Sequence, residues 1–139
     1  MGDVNFESNA QVIRDQFKKM TKLAEQEGMA FVNDSMNKVQ ELITPITPVN
    51  KNRKAKTRGN LRRGYRVVKA RKLSTGRIVG ALINTEHYWK YVNDGHRLKN
   101  GGFVKGRFML QKAQNLANMS YIPTRWKVMT IKVLKGAKK

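Results

Sequence analysis

Apolar residues recur every three or four positions along the first third of the chain: Ile13, Phe17, Met20, Ala24, Gly28, Val32, Met36, Val39 and Ile43. Such spacing keeps them on one stripe of an α-helix. Ser8-Asn9-Ala10-Gln11 has the form of a capping box, so the pattern predicts a helix over 8–43, closed by Thr44-Pro45. At about 1.5 Å per residue it spans roughly 50 Å, more than a single small domain covers by itself. Part of the stripe is therefore expected to meet another subunit. Two shorter helices hinged at Gly28 are the other reading, because glycine inside a helix costs about 1 kcal/mol relative to alanine.

The chain has 139 residues, 40% of them hydrophobic, which suits one domain over 1–139 with a single core. It contains no cysteine, which excludes disulfides, cysteine-ligated zinc, iron–sulfur clusters and thiol catalysis. No run is long and apolar enough to span a membrane, and Met-Gly-Asp-Val-Asn does not start like a secretory signal. The net charge of +20 is unevenly placed. Residues 1–43 carry seven acids and five bases, whereas residues 44–139 carry 24 bases and only Glu86 and Asp94 as acids. Within 51–72 stand eleven bases and no acid: Lys51, Arg53, Lys54, Lys56, Arg58, Arg62, Arg63, Arg66, Lys69, Arg71 and Lys72. Repulsion at this density costs stability, so a polyanion is the expected neighbour, nucleic acid being the commonest; a merely solvated loop is the alternative.

Residues 44–60 hold Pro45, Pro48, Gly59 and the first half of the basic run without apolar periodicity, and read as a loop. Leu61 to Leu73, the turn residues Ser74-Thr75-Gly76 and Arg77 to Asn84 read as a β-hairpin. Apolar residues on both parities of the second strand suggest that it is central. Thr85 to Val92 reads as a short helix capped by Gly95. Residues 95–105 read as an aperiodic glycine-bearing loop, the segment from Phe108 to Ala117 as a helix, and Tyr121 to Leu134, rich in β-branched and aromatic residues, as a last strand. Residues 136–139 form a tail. The predicted class is α+β: a long N-terminal helix on a small, mainly antiparallel sheet occupying 61–135 together with one short and one medium helix.

The two histidines, His87 and His96, stand beside Glu86 and Asp94, and from these four a metal or acid–base site can be sketched; tyrosines apart, they are the only ionisable non-basic side chains in the C-terminal two thirds. A hydrolytic metal site needs three protein ligands, and a nuclease gathers several carboxylates around magnesium. Phosphate-binding glycine loops, dinucleotide fingerprints and nucleophile elbows are missing. No catalytic residue, metal or cofactor is expected, and the chain is not expected to be an enzyme. Zinc fingers are impossible, and neither ribonucleoprotein strand motifs nor a helix-turn-helix stand out. Phosphate contact without base readout remains.

Several short pieces nevertheless stand in a telling order: Thr47-Pro48-Val49; Gly59-Asn60-Leu61-Arg62; Ile83-Asn84 with Tyr88, Tyr91, Val92 and Gly95-His96-Arg97; and Gly102-Phe103-Val104-Lys105-Gly106-Arg107-Phe108-Met109-Leu110 with Ala113. In this order they resemble the small neck or tail-completion proteins, the head–tail joining family of long-tailed siphophages. One departure is Asn50 to Thr57, inserted with Lys51, Arg53, Lys54 and Lys56 where the family pattern passes almost directly to Thr-Gly. The resemblance implies a structural subunit of a neck ring of six or twelve copies, located in the virion and assembled in the host cytoplasm. Its implied neighbours are other copies, head-closure or connector proteins, tail-completion or tail-tube proteins, and packaged DNA, with no membrane.

On that basis Lys51, Arg53, Lys54, Lys56, Arg58, Arg62, Arg63 and Arg66 are the DNA-proximal candidates. Phe17, Met20, Val32, Met36, Phe103, Val104 and Arg107 are candidates for subunit or ring contacts. Tyr88, Tyr91, Val92, Leu110, Ala113 and Trp126 are expected in the core. Residues 95–107 could dock on a neighbouring ring through Phe103 and Val104, or fold back with Phe103 in the local core. The competing readings are a basic, sequence-independent DNA-binding protein that forms no ring, and a small nuclease built on Glu86, His87, Asp94 and His96.

Overall fold

A computed structural model describes residues 6–137, and the side chains of 9–136. Its α+β architecture is organised by one helix, α1 (Phe6–Ile46), which runs without a break through Gly28. Its 41 residues correspond to roughly 60 Å. The helix already includes Phe6, so Ser8 is not its cap; the Ser8 side chain lies outside the described residues. Pro45 sits in the last turn rather than after it. The end of α1 is closed from outside: Arg62 donates from Nε to the Thr47 carbonyl at 2.8 Å and from Nη2 to the Pro45 carbonyl at 3.0 Å. Carbonyls that a helix end leaves orphaned thus find a charged donor.

The remaining elements are α2 (Asn60–Arg63), β1 (Tyr65–Lys72), β2 (Ile78–Asn84), α3 (Trp89–Asp94), β3 (Gly95–Arg97), β4 (Phe103–Lys105), α4 (Met109–Met119) and α5 (Tyr121–Ala137). β1 and β2 form the expected antiparallel hairpin, with Tyr65 opposite Asn84 and Lys72 opposite Ile78. A bulge between Val68 and Arg71 breaks the ladder, and the Ala70 N–H donates instead to Asn33 Oδ1 of α1 at 2.7 Å. The bulge therefore stitches the hairpin to the helix. β2 is not central, because its sheet has only two strands; α1 covers it instead. Gly80 permits that approach, since a Cβ there would lie 2.7 Å from Val32 Cγ1.

Residues 95–105 are a second hairpin rather than an aperiodic loop, pairing Gly95 with Lys105 and Arg97 with Phe103. Three-residue strands are too short for a period to register in the sequence. Tyr121 to Leu134 is helical, contrary to its composition. Tyr121, Ile122, Arg125, Met129, Val133 and Gly136 are its less exposed positions. Their helical spacing prevails over β propensity, which is mostly a preference for a pleated packing surface. α5 lies antiparallel on α1, with Tyr121 near Lys38, Arg125 bonded to Asp34, Trp126 edge-on to Phe31 and Gly136 against Leu23. Gly136 is helical, and Lys138 and Lys139 lie outside the described residues.

The core joins α1, β1 and α4 through Val39, Ile43, Tyr65, Met109, Ala113 and Ala117. Leu110 and Val92 pack against it, whereas Tyr91 and Trp126 do not belong to it, being 55% and 54% exposed. Trp126 spends its contact on Phe31 at the surface, with ring centroids 5.3 Å apart. Tyr91 stands edge-on to His96. Tyr88 is half-buried and lines a cleft instead of the core.

Candidate functional site

The segment between α1 and α2 carries the basic run on a chain of tight turns. Asn50 Oδ1 accepts from the Asn52 N–H at 2.9 Å, and Asn52 Oδ1 accepts from the Lys54 N–H at 3.0 Å. Backbone turns at Asn52–Ala55, Ala55–Arg58 and Thr57–Asn60 follow, and Gly59 adopts φ 78°, which favours glycine. Asparagine side chains that bond their own backbone two residues on give the segment a shape despite its charge. Lys51, Arg53, Lys54, Lys56 and Arg58 are all exposed on it.

The eleven cations of 51–72 divide into two groups. Arg62 closes the end of α1, Arg63 donates to the Arg58 carbonyl and to Asn60 Oδ1, and Arg66 donates to the Arg63 and Tyr65 carbonyls. Lys72 pairs with Glu25. These four side chains have structural work within the subunit. For Lys51, Arg53, Lys54, Lys56, Arg58, Lys69 and Arg71 no side-chain partner is present among the described residues, and all seven are exposed. Sequence reasoning placed Arg62, Arg63 and Arg66 with the DNA-proximal set; each guanidinium donates to at least one backbone carbonyl of its own subunit.

Behind this segment lies a cleft of about 310 Å³ lined by Pro48, Val49, Asn50, Thr57, Gly59, Leu61, Tyr88 and Val92. Pieces quoted separately above, the Thr-Pro-Val, the Gly-x-Leu-Arg and the Tyr and Val of α3, thus converge on one place. The sequence contained those pieces but no signal that they meet. Burial, and then the carboxylate of Glu86, raise the Tyr88 phenol above its ordinary value. It therefore stays protonated and uncharged at neutral pH.

Two buried polar clusters lie close to the cleft in sequence, next to its lining residues Pro48, Tyr88 and Val92. Trp89 Nε1 donates to Tyr65 Oη at 2.8 Å, Tyr65 Oη lies 2.8 Å from Thr47 Oγ1, and Thr47 Oγ1 donates to the Ile43 carbonyl at 2.7 Å. An indole N–H only donates and a carbonyl only accepts, so the protons run one way, from Trp89 to Ile43. Asn93, 1% exposed, accepts from the Leu110 N–H through Oδ1 and donates from Nδ2 to Asp94 and Gln111, while its carbonyl accepts from the Phe108 N–H. It sets the start of α4, where Phe108 has φ 49°. Neither cluster was foreseen, because each joins residues far apart in sequence.

Glu86, His87, Asp94 and His96 do not assemble. His87 packs edge-on to Tyr88, His96 edge-on to Tyr91, and Asp94 accepts from Asn93. Among the described residues no three His, Asp or Glu side chains are grouped as metal ligands would be.

The apolar contact candidates also separate. Beyond Leu23, where α5 ends, α1 continues with Val12, Ile13 and Phe17 exposed, Phe17 by 60%, while Met20 is half-buried. Val32 and Met36 face Gly80 of the same subunit, so that part of the stripe is already covered. Phe103 is 64% exposed, which excludes the local core as its place, and Val104 and Arg107 are exposed beside it.

Compared with known proteins, the chain is similar over residues 11–95 to a family model described as "Bacteriophage HK97-gp10, putative tail-component". That span runs from α1 through the basic segment and the cleft to the end of α3. No curated protein and no solved structure matches.

Proposed function

Since the chain belongs to the HK97-gp10-like family of bacteriophage tail components, we propose that this structural virion protein is a ring subunit of the neck. In this reading it joins head to tail, contacts neighbouring connector and tail proteins, and borders the channel through which DNA passes. The observation that carries the ring is the free end of α1. Its residues 9–22 continue for about 21 Å past the contact of Leu23 with Gly136, with Val12, Ile13 and Phe17 exposed on a stripe that none of the other described residues covers. A head-to-tail contact repeated around a closed ring would cover it in every copy.

The seven exposed cations without a side-chain partner among the described residues supply the contact with DNA phosphates, which positions without reading sequence. Among the described residues no helix is long and apolar enough to cross a membrane. In this reading the role is structural rather than catalytic: the Asp94 carboxylate accepts from Asn93, and His87 and His96 pack edge-on against Tyr88 and Tyr91. Purified protein is expected to leave DNA intact in the presence of magnesium.

Electron cryomicroscopy of virions or isolated necks tests the whole reading. The expected result is a closed ring with the α1 end seated on the next copy and residues 51–58 turned towards the lumen. Copies separated from one another, or a basic segment directed outwards into solvent, would refute the ring or the channel assignment respectively.

A further inference from the structure

The cleft behind the basic segment is not needed for phosphate contact. A duplex shows phosphates and sugars on its outside and keeps its bases stacked within, so a concave, mainly apolar recess offers it nothing. The recess here joins Val49, Leu61 and Val92 to the ring of Tyr88, with Asn50 and Thr57 as polar groups. Its volume of about 310 Å³ is at the small end of the roughly 300–1,000 Å³ range of small-molecule sites. The charge around it is fixed by the chain itself. Lys51 follows Asn50, and Lys56 and Arg58 flank Thr57, so three exposed cations adjoin the two polar lining residues. An apolar peptide side chain would have no use for them, whereas a nucleotide brings a planar base and a phosphate together. A cationic track beside an aromatic platform is the arrangement by which single strands are held without sequence preference.

We propose that this cleft receives an unpaired base of single-stranded DNA, stacked against Tyr88, with the adjoining phosphates on Lys51, Lys56 and Arg58. The inference rests on the reading that the basic segment meets DNA, and is independent of the ring. An unpaired base occurs at a strand end or a frayed duplex terminus, so the site distinguishes DNA ends from the passing duplex.

The test is fluorescence anisotropy of the full chain with a labelled oligo-dT of about 16 nucleotides and with a duplex of the same length, at one salt concentration. The single strand is expected to bind about tenfold more tightly, and Tyr88→Ala to remove that advantage while changing duplex affinity less than about twofold. Tyr88→Phe, which keeps the ring, should retain it. Thr57→Trp, at an exposed position on the cleft wall, should abolish the advantage without touching the core, so a folding defect in Tyr88→Ala cannot decide the matter. An unchanged single-strand to duplex ratio in both Tyr88→Ala and Thr57→Trp overturns the cleft assignment and leaves phosphate contact standing. Failure of the unaltered protein to bind either DNA at low salt overturns both.

Discussion

A buried hydroxyl shared between two neighbours makes Tyr65 a sensitive position in this molecule. Tyr65 is the middle of a one-way hydrogen-bond run, so Tyr65→Phe strands the Trp89 N–H and removes a donor from Thr47, which is fully buried. The expected cost is about 1–3 kcal/mol, read from urea unfolding. Thr47→Val should cost a similar amount, and the double variant clearly less than the two together, since they break the same run. A glycine pair makes a second residue-scale contrast. A Cβ at Gly106 would meet backbone atoms of Asn93, Asp94 and Gly95, which cannot move aside, whereas one at Gly101 would meet nothing within 4 Å. Gly106→Ala should therefore destabilise by about 3 kcal/mol or more, and Gly101→Ala, opposed only by its φ of 87°, by about 1 kcal/mol. Thermal unfolding of the two variants separates a steric cost from a purely conformational one.

At the scale of elements, the sequence was most legible where a period is long or a turn is chemically marked. The stripe from Ile13 to Ile43 yielded α1, and Ser74-Thr75-Gly76 located the first hairpin, whose Gly76 has φ 87°. It misled where composition and spacing disagreed. The aromatic and β-branched residues from Tyr121 to Leu134 suggested a strand, but Ile122, Met129 and Val133 at helical spacing gain more by packing along α1. The candidate site was legible only in part. The basic run located the loop, yet nothing in a one-dimensional pattern separates Arg62, committed to carbonyls at the end of α1, from Lys54, whose side chain has no partner among the described residues. These two elements predict different failures. Arg62→Ala should lower stability by about 1–2 kcal/mol. By contrast, Phe17→Asp on the uncovered end of α1 should leave the isolated subunit within about 0.5 kcal/mol of the parent while abolishing head–tail joining in complementation. Normal joining by a stably folded Phe17→Asp protein would remove that end of α1 from the subunit contact.

For the whole molecule, the segregation of charge has a thermodynamic signature. Each phosphate neutralised releases counterions, so the logarithm of DNA affinity falls with the logarithm of salt by about 0.9 per contact on a duplex. On the proposed reading, the seven cations of the 51–72 run whose side chains have no partner among the described residues, rather than all eleven, set the reach of that run. Replacing Lys51, Lys54 and Lys56 together with alanine should flatten the slope by about 2.7, with stability unchanged, and a salt titration of duplex affinity measures it. An unaltered slope would show that the contacts lie elsewhere. The unbroken run of α1 through Gly28 also has a mechanical consequence. Because the arm beyond α5 has no joint where it leaves the body, it follows every tilt of the core as a lever. Over about 21 Å of arm, each ten degrees of tilt carries the tip roughly 4 Å. A tilt of the core would then move the tip by that amount, amplified by length alone.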